Sequence, residues 1–328
     1  MVIWEKYSGD PAGWDEPVAS LGGGFYQSYG WGETRRVAGW QPLRLMAKRE
    51  GRLVGAASIL VKRKLGAAVC WIPGGPVGAA LTLDDGFRRV LADELATRFV
   101  YCRISLLREA QPEEQTFLEG QRWQRPAVGR SSGLTMLYAL SGDEPERLKR
   151  ASGNWRHNLK RSGRHGLCVE HWASPDLAEM SALYREMEGL KSLPVQHSAA
   201  ELAAMFQNLG DRIVVYRCLD ADGRLLALRA AGLYGTTAWD LLAAAGEAAR
   251  KVYASHATLW ALLDHCQKLG MQHYDLSGVD PVGNKGVYDF KQGTGAHLVE
   301  CLGEWEWASV PGMSVAVNWL VARKSAGG

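Results

Sequence analysis

The chain has 328 residues, of which 47% are hydrophobic, and its 38 lysines and arginines nearly balance its 35 aspartates and glutamates. This length accommodates two hydrophobic cores, and a net charge of +3 excludes a global polycation, so any contact with nucleic acid has to be local. The six cysteines stand singly, without zinc-ligand spacing, which predicts buried thiols in a reducing compartment and no metal site. The N-terminus lacks a secretion-signal pattern and no stretch approaches the ~18 apolar residues of a membrane span, so we expect a cytoplasmic protein without a transmembrane segment.

The first half of the chain alternates helical and strand patterns. Ser28 is placed to cap a helix, and Glu50-Gly51 is typical of a hairpin turn between two strands. We expect helices at 29–37 and 87–99, and strands at 43–48, 52–63, 69–72, 102–107 and 135–140. This alternation predicts an α/β fold with a mixed sheet.

A basic segment follows the turn-forming residues 141–145, which mark a predicted domain boundary. Leu148, Ala151, Trp155 and Leu159 keep helical spacing, which predicts one helix with a single apolar face. Its other positions are cationic, namely Arg147, Lys149, Arg150, Arg156, Lys160, Arg161 and Arg164. A solvated helix face explains such a charge run; the alternative is a phosphate-binding patch for RNA or a nucleotide.

The second half repeats the pattern of the first. Asp222-Gly223 matches the earlier hairpin signal, and Gly270 is placed to end a helix. We expect strands at 167–172, 212–219, 224–234 and 237–245, and helices at 177–190, 199–209 and 255–269. Two copies of one α/β unit are the simplest architecture.

The stretch from Tyr274 to Trp307 carries the densest chemical signal. A predicted strand ends at Tyr274-Asp275, and a glycine-rich turn leads to Lys291, which precedes Gly293 and Gly295. Such glycines let backbone N–H groups approach a ligand, and apolar neighbours partly desolvate the lysine. A connector plus hairpin with one snorkelling lysine is the alternative interpretation.

Several of these segments together resemble the FemABX family, in the right order over nearly the whole chain. The matching segments are Phe25–Ser28 with Trp31-Gly32, Trp71–Val77, Trp155–Arg161, Trp260 with Gly270, Tyr274–Gly278 and Gly286–Lys291. The resemblance implies an α/β fold of two tandem GNAT-like domains with mixed sheets. These would be residues 1–145, with a C-terminal helix within 308–328 packing back on them, and residues 146–307.

The resemblance also implies an activity. Members of the family move an aminoacyl group from aminoacyl-tRNA to an amine, with amide bond formation. The expected partners are aminoacyl-tRNA as co-substrate and an amine-bearing peptide, either a peptidoglycan cell-wall precursor or a peptide-like metabolite. The acceptor could be presented at a membrane surface, and no metal or tightly bound cofactor is implied.

Individual roles follow from the resemblance. Lys291 matches the lysine beside the reacting carbonyl, where an ammonium group stabilises the developing oxyanion. Asp275 and Asp289 are candidates for proton handling or for orienting Lys291; the alternative is that they satisfy backbone amides. Arg35 falls where the family has a cation for acceptor phosphates, and Lys191 matches a second such cation more loosely. The remaining predicted site residues are His256, Tyr274 and Phe290 for the acceptor, and Arg156, Lys160 and Arg161 for tRNA.

One departure and two rival hypotheses remain open. Relatives often have an acidic residue followed by proline where this chain has Ser105, which puts the usual acceptor contact in question. The first rival is an acyl-CoA-dependent N-acyltransferase on the same fold, whose pyrophosphate cradle would lie at Gly246–Ser255; the closely spaced glycines of such a cradle are absent there. The second is a non-catalytic tandem-GNAT binding protein, against which the intact Phe290-Lys291 signature argues.

Overall fold

The computed structural model describes residues 2–79, 82–191, 195 and 197–326, and the chain folds as two compact units. Unit 1 comprises Met1–Leu134 and Glu300–Gly328, and unit 2 comprises Thr135–Val299. The sequence places the boundaries at 145/146 and 307/308. In the structure both lie earlier, because a strand at 134–139 pairs within unit 2 and most of a strand at 297–308 pairs within unit 1.

The elements alternate along the chain. The strands are β1 (Val2–Lys6), β2 (Gln41–Arg49), β3 (Arg52–Lys64), β4 (Ala67–Pro73), β5 (Val77–Gly78), β6 (Val100–Glu109), β7 (Leu134–Ala139), β8 (Cys168–His171), β9 (Ile213–Leu219), β10 (Leu225–Tyr234), β11 (Thr237–Ala245), β12 (His273–Gly278) and β13 (His297–Ala308). The α-helices are α1 (Pro11–Ser20), α2 (Tyr29–Thr34), α3 (Asp85–Leu95), α4 (Pro112–Gly120), α5 (Glu144–Arg150), α6 (Gly153–Ser162), α7 (Leu177–Lys191), α8 (Ala199–Leu209), α9 (Glu247–Lys251), α10 (Ala254–Lys268), α11 (Lys285–Gln292) and α12 (Met313–Ala326).

Unit 1 is built on a mixed sheet with the strand order β1-β2-β3-β4-β6-β13, and β5 pairs with β3. Neighbours are antiparallel except β4 and β6, which are parallel. Glu50 and Gly51 join β2 to β3 with φ angles of 52° and 77°, the left-handed pair that a tight hairpin needs. α12 packs on this sheet through Asn318, whose amide donates to both carboxylate oxygens of Glu306 at 2.9 and 2.8 Å.

Unit 2 repeats that arrangement with the strand order β7-β12-β11-β10-β9-β8. Here β11 and β12 form the parallel pair and the other neighbours are antiparallel. Each unit therefore has four successive antiparallel strands, β1 to β4 in unit 1 and β8 to β11 in unit 2. The fifth strand, β6 or β12, is parallel to the fourth, and the sixth, β13 or β7, is antiparallel to the fifth. The predicted mixed-sheet α/β fold in two copies is confirmed.

Two sequence predictions are wrong, one about the basic segment and one about Cys168. The basic segment forms two helices, α5 and α6, because Ala151 is extended and Ser152 begins a new helix by accepting a hydrogen bond from the Trp155 N–H at 3.2 Å. Leu148 and Leu159 therefore do not share one helix.

Cys168 is exposed, whereas the other five cysteines are buried as expected, and all six are free thiols.

Candidate active site

Lys291 reaches its position through a sharp turn and a short helix. β12 ends just after Ser277, whose φ of 63° turns the chain out of the sheet. Asp280 accepts hydrogen bonds from two backbone N–H groups of the following loop, at 3.0 and 2.7 Å. Asn284 then caps α11. The turn was expected from the sequence, whereas the helical conformation of 285–292 was not.

The Lys291 side chain is buried, with 7% of its surface exposed. Its ammonium donates hydrogen bonds to the carbonyl oxygens of Gly278 at 3.0 Å and Ser277 at 3.3 Å. Within the described part of the chain, no carboxylate oxygen lies within 4.0 Å of this ammonium. Burial lowers the pKa of Lys291, and the nearby Asp240 carboxylate opposes that effect. An ammonium has three donors, so two of them fix it while the third remains for a ligand.

Asp275 is the buried carboxylate of this site. Its Oδ1 accepts hydrogen bonds from the Thr135 hydroxyl at 2.5 Å and from the Ser277 N–H at 2.7 Å. Burial raises the pKa of Asp275, against the opposing effect of these hydrogen bonds and of Lys291. The carboxylate is thus a stronger base than a solvated aspartate, as proton handling requires.

A second buried pair, which the sequence analysis missed, supports the same region. Arg229 on β10 makes a bidentate ion pair with Asp240 on β11, at 2.7 and 2.6 Å, and both side chains are 8% exposed. The Tyr274 hydroxyl donates to the same carboxylate at 3.1 Å, and the Ser277 hydroxyl donates to the Asp240 carbonyl at 2.8 Å. Asp240 therefore links the ion pair to the turn that holds Lys291. An arginine and an aspartate inside two apolar strands were the only sequence signal.

Phe290 and His256 meet in an aromatic cluster beside α11. The two rings lie 5.0 Å apart in an edge-to-face arrangement, and Trp155 lies 5.2 Å from His256 and 6.2 Å from Phe290. Burial lowers the pKa of His256 to about 4, so the imidazole is neutral at pH 7. The cluster places apolar ring surface next to the helix that carries Lys291.

The structure does not bring Asp289 into this group. Its carboxylate pairs with Lys285 on the same exposed helix face, at 2.7 and 2.8 Å. An exposed i,i+4 ion pair is the ordinary surface arrangement. We therefore assign Asp289 no part in proton transfer.

The three predicted tRNA contacts lie on α6 and are exposed. Arg156 Nη1 donates to three carbonyl oxygens at the end of α5, those of Leu148, Lys149 and Ala151, at 3.3, 3.1 and 2.9 Å. Arg161 lies over the Tyr253 ring with its guanidinium carbon 4.7 Å from the ring centre. Part of the basic segment is therefore structural, and the rest faces solvent.

The two predicted phosphate-binding cations belong to different units of the chain. Arg35 is half-buried in unit 1, 5.7 Å from the centre of the Trp31 ring. Lys191 ends α7 in unit 2, where burial of its ammonium and the nearby Arg250 lower its pKa.

At the junction where a coenzyme A cradle would lie, a carboxylate of the protein binds the N-terminus of α9. Glu186 Oε1 accepts a hydrogen bond from the Glu247 N–H, at the N-terminus of α9, at 2.8 Å. A Cβ at Gly246 would lie 2.4 Å from the same oxygen, so a larger residue at 246 would displace the Glu186 carboxylate from this position. A carboxylate thus occupies the anion position at that junction, and a pyrophosphate there would meet its negative charge.

The described residues contain no group of three or more histidine, cysteine or acidic side chains arranged to hold a metal ion. Across the same parts of the chain, no helix has the length and hydropathy needed to cross a bilayer.

The FemAB family model matches residues 218–318, which include Arg229, Asp240, His256, Asp275 and Lys291. No curated protein sequence matches the chain closely enough to be significant.

Solved structures with low sequence identity share the fold. The crystal structure of FemX superposes with a TM-score of 0.79 at 16% identity, covering 93% of this chain and 97% of that one. The structure of L-PGS from Bacillus licheniformis gives 0.57 at 15% identity, with 95% and 96% covered. A tandem GNAT protein from the clavulanic acid biosynthesis pathway gives 0.56 at 12% identity, with 95% and 99% covered.

The family match supports an acyltransferase, and the structures establish the tandem GNAT-like fold. The predicted resemblance to the FemABX family is therefore confirmed, by the family's own model over residues 218–318 and by a fold shared with FemX along nearly the whole chain.

Proposed function

We propose that this protein is an aminoacyltransferase that moves an aminoacyl group from aminoacyl-tRNA to the amine of a peptidoglycan precursor or a peptide-like metabolite. The observation that carries the proposal is the buried Lys291 ammonium, which donates to two carbonyl oxygens and has no carboxylate partner among the residues that the structure describes. A desolvated cation of this kind costs free energy in the folded protein, and it is suited to a negative charge that arises only during reaction.

The chemistry needs few groups because an aminoacyl ester is already activated. The acceptor amine attacks the ester carbonyl, a tetrahedral oxyanion forms, and the tRNA ribose oxygen leaves as the amide bond is completed. Lys291 would stabilise the oxyanion with its third donor, and Asp275, whose pKa is raised by burial, would take the proton that the amine loses.

Two observations favour a tRNA donor over coenzyme A. Glu186 occupies the anion position at the N-terminus of α9, where a pyrophosphate would have to bind. Lys160 and Arg161 project from α6 into solvent, where they can contact phosphates of an RNA backbone.

The decisive experiment compares Lys291→Met with Lys285→Met, a matched change on the exposed face of the same helix. Charged tRNA and an amine-bearing wall-precursor peptide are the substrates, and single-turnover transfer and RNA affinity are measured separately. We expect Lys291→Met to slow transfer about 100- to 1,000-fold with unchanged RNA affinity, as for loss of one oxyanion donor. Lys285→Met should leave both unchanged.

Two results would contradict the proposal. Equal losses of transfer rate and of substrate affinity in Lys291→Met would mean that the lysine only binds. Acyl transfer from acetyl-CoA, with no response to charged tRNA, would favour the coenzyme A hypothesis instead.

A further inference from the structure

Unit 1 contains a cavity of about 870 Å³, which lies beside α3 and the start of α12. We call it the arginine cavity. Its lining residues are Asp85, Arg88, Arg89, Ala92, Arg122, Gln124, the six residues from Trp307 to Gly312 at the end of β13 and in the connection to α12, and Ser314 and Val315 of α12. None of the residues assigned to catalysis, acceptor binding or tRNA binding lines it.

The charge of this cavity is positive. Arg88, Arg89 and Arg122 all line it, and Asp85 is the one acidic residue among its lining residues in the described chain. Asp85 already accepts a hydrogen bond from Arg88 Nη1 at 2.9 Å. The first turn of α12, a helix of 14 residues, also lines the cavity, and a helix N-terminus attracts anions.

Arg88 provides the observation that points to a ligand. The side chain is 8% exposed, and its Nε and Nη2 are buried without a hydrogen-bond partner among the described residues. Its guanidinium carbon lies 5.1 Å from the centre of the Trp307 ring and 5.8 Å from that of Trp123, which fixes its position. Buried guanidinium donors without acceptors are unfavourable, and an oxygen-rich anion would satisfy them.

We propose that the arginine cavity binds a phosphate group, with Arg88 as the fixed contact and Arg89 and Arg122 as solvent-facing partners. Three guanidinium groups and a helix N-terminus suit a compact anion with several equivalent oxygens, which a phosphate is. Burial lowers the pKa of Arg88, opposed by Asp85, and a bound anion would favour its charged form.

The phosphate could belong to a soluble ligand or to a lipid headgroup. Val315 and Trp319 are 73% and 56% exposed on α12, one turn apart, so an apolar surface continues from the rim of the cavity. The experiment therefore includes both sources.

Full-length protein is titrated with inorganic phosphate by calorimetry, and it is floated with vesicles of phosphatidylcholine alone or with phosphatidylglycerol. The test variant is Arg89→Gln/Arg122→Gln, which changes two exposed side chains. The control is Arg49→Gln/Arg52→Gln on the β2–β3 hairpin, which removes the same charge from unit 1.

We expect the test variant to bind about tenfold more weakly, because charge-assisted hydrogen bonds are lost, while the control binds like wild type. Arg88→Lys, which keeps the charge but not the planar fork, should also weaken binding.

Phosphate binding without flotation assigns a soluble ligand. Flotation with phosphatidylglycerol that needs both the arginines and Trp319, tested by Trp319→Ala, assigns a headgroup. Equal binding by the test variant and its control would overturn the proposal, as would wild-type protein that binds neither probe.

Discussion

Lys291 and Arg229 are two buried cations of unit 2 that are compensated in different ways. Among the described residues, Lys291 hydrogen-bonds to two carbonyl oxygens and to no carboxylate, whereas Arg229 has a bidentate carboxylate, Asp240. Burial lowers the pKa of Lys291, whereas for Arg229 the Asp240 carboxylate and the Tyr274 hydroxyl together outweigh burial and raise the pKa. The ion pair of Arg229 links β10 to β11, whereas Lys291, under the function proposed above, keeps a donor for the reacting group.

The ion pair predicts a large loss of stability when one partner is removed. Asp240→Asn leaves the Arg229 guanidinium buried without a counter-charge, and we expect the free energy of unfolding to fall by about 3–5 kcal/mol. Tyr274→Phe removes only the 3.1 Å hydrogen bond to the same carboxylate and should cost about 1 kcal/mol. Urea denaturation of both variants measures the difference. Equal, small losses would mean that the pair is hydrated in solution.

His256 predicts an acid-dependent loss of stability. Because burial lowers its pKa from 6.5 to about 4, the unfolded chain binds a proton between these pH values that the folded chain does not. The stability that depends on a neutral His256 is therefore fully present above pH 6.5, and it is lost as the pH falls towards 4. One pKa unit corresponds to about 1.36 kcal/mol, so the loss is on the order of 3 kcal/mol.

His256→Phe is the matched control because it keeps an aromatic ring against Phe290 and Trp155 and cannot titrate. The measurement is the unfolding free energy of wild type minus that of the variant, at pH 7 and at pH 4.5. We expect this difference to become less favourable to wild type at the lower pH. A constant difference would show that the imidazole is protonated freely in the folded protein.

At the scale of elements, α5 and α6 show how far the sequence pattern extends. Apolar spacing alone predicts one basic helix through 148–159, but Ser152 is a strong cap and the chain begins a new helix there. The same spacing cannot show that Arg147 is buried against Asp264, at 2.8 Å, because that contact joins distant segments. Local signals therefore located the cations, and long-range packing decided which of them face solvent.

The other elements also agree with prediction where local signals are clear and differ from it where those signals are weak. The β11 strand at 237–245 and the α8 helix at 199–209 agree with prediction, because both are bounded by clear turn or cap signals. β1, α1 and α4 were missed, since they are short or contain proline and have weak periodicity. In the candidate site, Lys291 and Asp275 were identified from the sequence. The Arg229–Asp240 pair was not, because it depends on the register of β10 against β11.

The α5–α6 connection predicts that Arg156 acts differently from its neighbours. Arg156→Gln removes hydrogen bonds to three carbonyl oxygens at the end of α5 and should lower the unfolding free energy by about 1 kcal/mol. Lys160→Gln/Arg161→Gln should change stability by less than about 0.5 kcal/mol but weaken binding of charged tRNA.

Arg224→Gln, at the exposed β9–β10 hairpin of the same unit, controls for loss of one positive charge. Thermal unfolding and RNA titration are measured on each variant. If Arg156→Gln leaves stability unchanged while abolishing RNA binding, its hydrogen bonds to α5 are dispensable and its main role is the phosphate contact.

At the scale of the whole molecule, each unit repeats one strand order, but the chain does not complete the first unit before starting the second. Unit 1 takes β13 from the end of the chain, and Leu302 and Trp305 of that strand belong to its buried core. A hairpin or a helix is recognisable from neighbouring residues, whereas this late return of the chain is not. The predicted boundary at 307/308 therefore lies beyond the observed one.

The charge of the whole molecule predicts how its RNA binding depends on salt. A net charge of +3 leaves little long-range attraction, so the exposed cations of α6 must supply most of the electrostatic free energy. Each phosphate neutralised contributes about −0.7 to −0.9 to the slope of log K against log salt concentration, so three contacts give a slope of about −2 to −3. Lys160→Gln/Arg161→Gln should reduce its magnitude by about 1.5, and Arg224→Gln should leave it unchanged. A slope steeper than about −5, or one that the α6 variants do not alter, would show that the RNA is bound mainly by another surface.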